Sequence, residues 1–153
     1  MAKKKQEEMT REELLAIIDR FALKGWTKLD LSGRGISELP AEIGQLTNLR
    51  ILDLRNHHGL PEELRNHLAG LPDEIGQLSN LRELYLRGNQ LTSLPEAIGR
   101  LSNLRTLDLH TNQLTSLPEA TGQLTNLQML DLCANRLTAL PTFIGQLTNL
   151  DNL

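Results

Sequence analysis

LSNLRELYLRGNQLTSLPEAIGR, residues 78–100, decides the fold. It returns at 101–123 as LSNLRTLDLHTNQLTSLPEATGQ and at 124–146 as LTNLQMLDLCANRLTALPTFIGQ, a step of 23 residues. A unit this short cannot bury its own apolar face, so the copies must stack into a solenoid. Leu81, Leu84, Leu86, Asn89, Leu91 and Leu94 recur at the matching positions of both later copies. In the L-x-L segment side chains alternate between two faces. The spacing predicts short parallel strands over 83–87, 106–110 and 129–133. Leu84 and Leu86 point inward, and Glu83, Tyr85 and Arg87 face solvent.

The asparagine comes three residues after the second strand leucine, where the chain must leave the sheet. Buried backbone groups there need partners, and an inward amide offers both donors and an acceptor. Asn89, Asn112 and Asn135 are therefore expected to form a ladder from repeat to repeat. The tail L-P-x-x-I-G predicts a short outer helical turn. Pro95 is expected at its first position and Gly99 as a left-handed stop.

The pattern L-x-x-L-x-L-x-x-N-x-L-x-x-L-P-x-x-I-G resembles the leucine-rich repeat family. The repeat length and the L-P-x-x-I-G tail are similar to its intracellular branch, which includes Ras-group and scribble-type scaffolds and the repeat region of bacterial Roco proteins. The resemblance implies an α/β fold: a right-handed leucine-rich repeat solenoid with an N-terminal capping helix. A curved parallel sheet would line its concave side, with short helical turns on its convex side. It implies protein recognition rather than catalysis, although the motifs specify the fold far more closely than the function.

Three segments are expected: a disordered N-terminus at 1–9, a capping helix at 10–25, and a repeat domain at 23–153. Thr10 and Glu13 form a capping-box pair. Leu14, Ile17, Ile18 and Phe21 make one apolar stripe, and Gly25 ends the helix. In repeat one, Trp26 takes the place of Leu81 and is expected to fill space between helix and first strand, while Arg34 replaces the ladder asparagine. Repeat two, 46–77, is nine residues longer than the others. Counting forward puts His57 at its ladder position; counting backward puts Asn66 there. Thr121 stands where other copies have isoleucine and is read as inward. A partial sixth repeat ends at Leu153, whose place is that of Leu84. An end without a polar cap suggests either a fragment of a longer protein or self-association.

Composition narrows the function. Net charge is -3 and aromatics make up 3%, which argues against nucleic acid as a partner. The apolar runs are too short for a membrane span. Cys133 is the only cysteine, so no internal disulfide can form. Extracellular members of the resembled family usually carry cysteine-stapled ends, so a reducing, cytoplasmic setting is expected. No phosphate-loop motif is present. Cys133 has no partner fixed near it in sequence, although His110 could lie one strand away. His57, His58 and His67 fit no structural zinc spacing. No catalytic residue, cofactor or metal ligand set is therefore assigned.

The expected interaction surface is the solvent side of the strands together with the insertion. Its residues are Asp53, Arg55, Glu83, Tyr85, Arg87, Asp108, His110 and Asp131. Asp108 and Asp131 are expected as adjacent like charges, with Tyr85 and the arginines as favoured interface anchors. The partner is a protein of unspecified identity. The alternative is the recognition segment of a multidomain signalling protein such as a Roco GTPase.

Overall fold

The computed structural model describes residues 8–153. The expected frayed N-terminus falls mostly on residues 1–7, outside those described. Met9 lies within them: its N–H donates to the Arg34 carbonyl at 2.8 Å and its side chain packs against the core.

Helix α1, Arg11–Lys24, opens on a reciprocal capping box between Thr10 and Glu13 and closes on Gly25 in the left-handed conformation. Leu14 and Ile18 are buried against repeat one, with Ile17 and Phe21 partly so. Trp26 remains 43% exposed. It does not fill an interior gap; it meets Phe21 edge-on at 4.8 Å, and the Arg20 guanidinium sits 5.6 Å from its centroid.

Five strands follow: β1 Lys28–Asp30, β2 Ile51–Asp53, β3 Glu83–Tyr85, β4 Thr106–Asp108 and β5 Met129–Asp131. They form one parallel sheet in chain order. The register aligns Leu29, Leu52, Leu84, Leu107 and Leu130, all buried. A sixth turn begins as a bridge between Met129 and Asn152. The regular strands are three residues long, not five. Hydrogen bonding continues past them, as from Gly88 N–H to the His110 carbonyl and from Thr111 N–H to the Cys133 carbonyl, both at 2.9 Å. The strands stop because the next residue but two turns left-handed: Gly88, Thr111 and Ala134 have φ of 75°, 55° and 55°.

Asparagines satisfy the backbone of these turns. Asn89 Nδ2 donates to the carbonyls of Leu54 and Leu86, and its Oδ1 accepts from Leu68 N–H. Asn112 and Asn135 repeat this one and two turns on. In repeat two the position belongs to Asn66, which bonds Leu31, Leu54, Arg34 and Ile36 and is fully buried. A second, outer row was not foreseen. Asn80, Asn103, Asn126 and Asn149 each donate to a Thr or Ser carbonyl of the preceding turn, at 2.7–2.8 Å.

The outer turns are 3-10 helices at Ala41–Gln45, Asp73–Gln77, Glu96–Arg100, Glu119–Gln123 and Thr142–Gln146. Pro95 caps its turn from outside, in extended conformation, instead of opening it. Gly99 is not a left-handed stop. It lies within the turn, and a Cβ there would meet the Ala120 carbonyl oxygen at 2.5 Å. Gly76 stands in the same relation to Ala97 at 2.6 Å. Glycine is needed because successive turns touch backbone to backbone.

Gly99→Ala should therefore destabilise the protein by about 1–3 kcal/mol, as overpacking does. Gly145→Ala, where nothing lies within 4 Å, should be near neutral. Equal melting temperatures for the two variants would refute the close-packing role. Thr121 is fully buried, and its hydroxyl has no hydrogen-bond partner among the described residues. Thr121→Ile should raise stability by about 1 kcal/mol in denaturant titration.

Candidate protein-binding surface

The insertion in repeat two is ordered by one side chain. Asn56 Oδ1 accepts from Asn66 N–H at 2.7 Å, and its Nδ2 donates to the carbonyls of Asn66 and Gly88 at 2.8 and 2.7 Å. This closes residues 57–65 as a loop and returns Asn66 to the ladder. The loop carries a 3-10 turn, Glu62–Leu64, and leans on repeat one. Gly35 N–H donates to the Leu64 carbonyl at 3.0 Å, and Leu60 packs over Gly33. His57 and His58 are exposed and line a cleft shared with sheet residues. His67 turns instead to Glu62 and Gln90.

On the sheet, the aspartate column follows a local rule. Each carboxylate bends back to accept the N–H two residues on: Asp30 from Ser32, Asp53 from Arg55, Asp108 from His110 and Asp131 from Cys133, at 2.9–3.2 Å. Asp53 and Asp108 are buried as a result, at 4% and 7% exposure. This corrects the expectation that both face solvent. Asp131 remains half-buried and Asp30 exposed.

β3 carries Tyr85 in place of aspartate. Its hydroxyl donates to Glu83 at 2.8 Å. Burial, that hydrogen bond and the Glu83 charge push the hydroxyl pKa up to about 12. Arg55 joins the two halves of this cluster. Its guanidinium lies 2.8 Å from Asp53 and 4.5 Å from the Tyr85 ring centroid. Asp53, Arg55, Glu83 and Tyr85 thus form one network.

Asp108, His110, Asp131 and Cys133 form a second. β4–β5 register sets Asp108 beside Asp131. Burial raises the Asp108 pKa, with the Asp131 charge adding to it and the His110 amide opposing. Burial also works against Asp131, but hydrogen bonds from Cys133 and the neighbouring His110 outweigh it and hold that carboxyl below the ordinary value. His110 Nδ1 lies 3.5 Å from Asp131. Asp131 pushes the Cys133 thiol up by hydrogen bonding and charge.

Arg87 and His110 also border a cleft of about 230 Å³ with the insertion residues His57, His58 and Arg65. Asn56, Gly59, Gly88 and Thr111 complete its lining, which holds no carboxylate. Arg65 and Asn56 escaped the sequence reading. Arg65 sits in an irregular segment without periodicity, and Asn56 stands where other repeats place a left-handed residue. A larger hollow of about 500 Å³ lies away from the sheet, among the outer turns at Glu96, Glu119 and Phe143. It gathers no cationic or aromatic anchors other than Phe143.

A stack of turns presenting one sheet face is the architecture of the repeat-protein class, typical of protein-interaction modules. The chain belongs to the leucine-rich repeat family. The family described as leucine-rich repeat region matches residues 65–153. Among solved structures, a leucine-rich repeat protein of Leptospira interrogans is similar at 34% identity and TM-score 0.57, covering 86% of this chain and 44% of that one. The plant peptide hormone receptor RGFR1, solved in complex with RGF2, is similar at 36% identity and TM-score 0.68, covering 82% of this chain and 21% of the receptor. The ectodomain of the receptor kinase SOBIR1 from Arabidopsis thaliana is similar at 28% identity and TM-score 0.66, covering 82% of this chain and 67% of that one. No curated protein matches the chain. The chain thus spans less than half the length of the Leptospira protein and of RGFR1. Among the described residues no helix is long and apolar enough to cross a membrane.

Arg55→Met should cost about 1–2 kcal/mol, because it strands the Asp53 carboxylate, with the cost reduced by the partial exposure of Arg55. Adding Asp53→Asn should recover part of that loss in a double-mutant cycle. Additive effects would count against the pair.

Proposed function

We propose that the chain is a non-catalytic protein-recognition module, binding its partner across the concave sheet face and the insertion together. The supporting observation is the cleft in which His57, His58 and Arg65 of the insertion meet Arg87 and His110 of the sheet. Its lining carries two arginines, of which Arg65 is paired with Glu62 at 3.2 Å, three histidines and no carboxylate, so the complementary partner presents an acidic segment. Tyr85, with Arg55 stacked on it, supplies a flat anchor beside the cleft. The peptide-bound receptor among the similar structures supports a peptide or protein ligand by likeness. A cytoplasmic setting is supported by the single cysteine. A role as the recognition segment of a larger signalling protein such as a Roco GTPase is supported by the form of the repeat.

A second reading is favoured by one observation. Leu140 and Leu153 are 57% and 55% exposed and border an apolar cleft of about 350 Å³ with Leu132 and Leu137. Such a surface would support self-association through this end. Sedimentation at several concentrations tests it, and a monomer at all of them would dismiss it.

For the main reading, a displayed random-peptide library selected on the immobilised chain should enrich acidic peptides. Arg65→Glu with Arg87→Glu should weaken their binding at least about tenfold, with unchanged melting temperature. Enrichment of neutral or basic peptides, or binding indifferent to the double substitution, would move the site off the cleft.

A further inference from the structure

We infer that His110, Asp131 and Cys133 form a binding site for a zinc-class divalent cation on the sheet face, with three protein ligands and one open position. Their ligand atoms, an imidazole nitrogen, a carboxylate oxygen and the thiol sulfur, all lie within 4.8 Å of one another. Tetrahedral zinc, with bonds of about 2.0–2.3 Å, needs ligand atoms about 3.3–3.8 Å apart. Closure by roughly 1 Å is within side-chain torsion, and His110 Nδ1 already stands 3.5 Å from Asp131 Oδ1.

The backbone holds the three ligands in place. Leu109 N–H donates to the Asp131 carbonyl and Thr111 N–H to the Cys133 carbonyl, both at 2.9 Å. His110 is therefore pinned on both sides against the strand that bears the other two ligands. Asp131 Oδ1 also accepts the Cys133 N–H. That bond orients the carboxylate toward the imidazole and the thiol, as outer partners orient metal ligands.

Charge points the same way. Asp108 and Asp131 are register partners. Among the described residues neither has a lysine or arginine nitrogen within 4.0 Å, whereas Asp53 is paired with Arg55. A divalent cation would offset this pair of carboxylates. The donor set of thiolate, imidazole and carboxylate suits zinc, and copper and nickel less by geometry. Binding converts the Cys133 thiol to thiolate with release of its proton to solvent; the thiolate, the neutral imidazole and the carboxylate each displace a metal-bound water. The fourth position lies on the open side of the sheet, occupied by water or by a group from a partner. The insertion histidines take no part: Asp131 ends β5, and His110 and Cys133 lie two residues beyond the ends of β4 and β5.

Metal-free, phosphine-reduced protein titrated with cobalt(II) tests the site. The expected result is one equivalent bound, with thiolate-to-cobalt charge-transfer absorption that zinc displaces. Cys133→Ser should abolish the absorption. His110→Ala and Asp131→Asn should each weaken binding at least about tenfold. Replacing His57, His58 and His67 together by alanine should leave it intact. Cys133 is exposed and the other two ligands are half-buried, and zinc should raise the melting temperature of the parent chain but not of Cys133→Ser, a readout independent of colour. Absence of cobalt binding at millimolar metal overturns the inference. So does absorption that survives both His110→Ala and Asp131→Asn unchanged, or that is lost with the insertion histidines.

Discussion

From the second turn of this solenoid to the fifth, an inward asparagine stands between a column of leucines and the polar backbone that must run beside it. Leucine side chains fill the interior but carry little directional information. The amide of Asn66, Asn89, Asn112 or Asn135 does carry it, donating to carbonyls of its own and the preceding turn. Its oxygen accepts an N–H from the preceding turn. Each unpaired buried group would cost about 1–3 kcal/mol, so slipping a turn by one residue is prohibitive. The outer row of asparagines repeats the device where the 3-10 turns stack, and the glycines there let neighbouring backbones approach closely enough for it to work.

The insertion shows how much departure this bonding tolerates. Nine extra residues would ordinarily break the step. Here Asn56 bridges to both backbone groups of Asn66 and to the Gly88 carbonyl, so the chain re-enters the ladder with its bonds intact. Loop closure costs entropy only slowly with length, and the three bonds of Asn56 act at the neck where closure is decided. The loop then rests on repeat one through Leu60 and Leu64. A rigid neck and a seated loop give the cleft beside Arg87 and His110 fixed walls.

Much of this was legible in the sequence because repetition compares the chain with itself. Leu84, Leu86 and Asn89 could be placed by their recurrence, and the α1 boundaries by Thr10, Glu13 and Gly25. Two kinds of feature were not legible. One is backbone conformation: Gly99 and Gly25 are the same letter, yet one is required by a carbonyl 2.5 Å away and the other by positive φ. The other is side-chain direction beyond alternation. Period two placed Asp53 and Asp108 on the solvent side, but their carboxylates fold back to the amides of Arg55 and His110 and become buried. Within the insertion, counting from the two flanks left the ladder position open between His57 and Asn66, and only the bonds to Leu31 and Leu54 assign it to Asn66.

The same aspartate rule also divides the face. Wherever a strand carries aspartate, one carboxylate oxygen is taken by the backbone, and what it offers a partner depends on the next residue over. Arg55 cancels Asp53 and turns its remaining surface toward Tyr85. Asp108 and Asp131 have no lysine or arginine within ion-pair distance among the described residues, only His110 beside Asp131, while the insertion brings Arg65 to the side where Arg87 stands. The difference between the two sides arises from residues at positions 55, 65 and 87, none of which contributes a leucine or an asparagine to the stack. The chemistry of the sheet face can therefore change at those positions while the hydrogen bonds that set the register stay as they are.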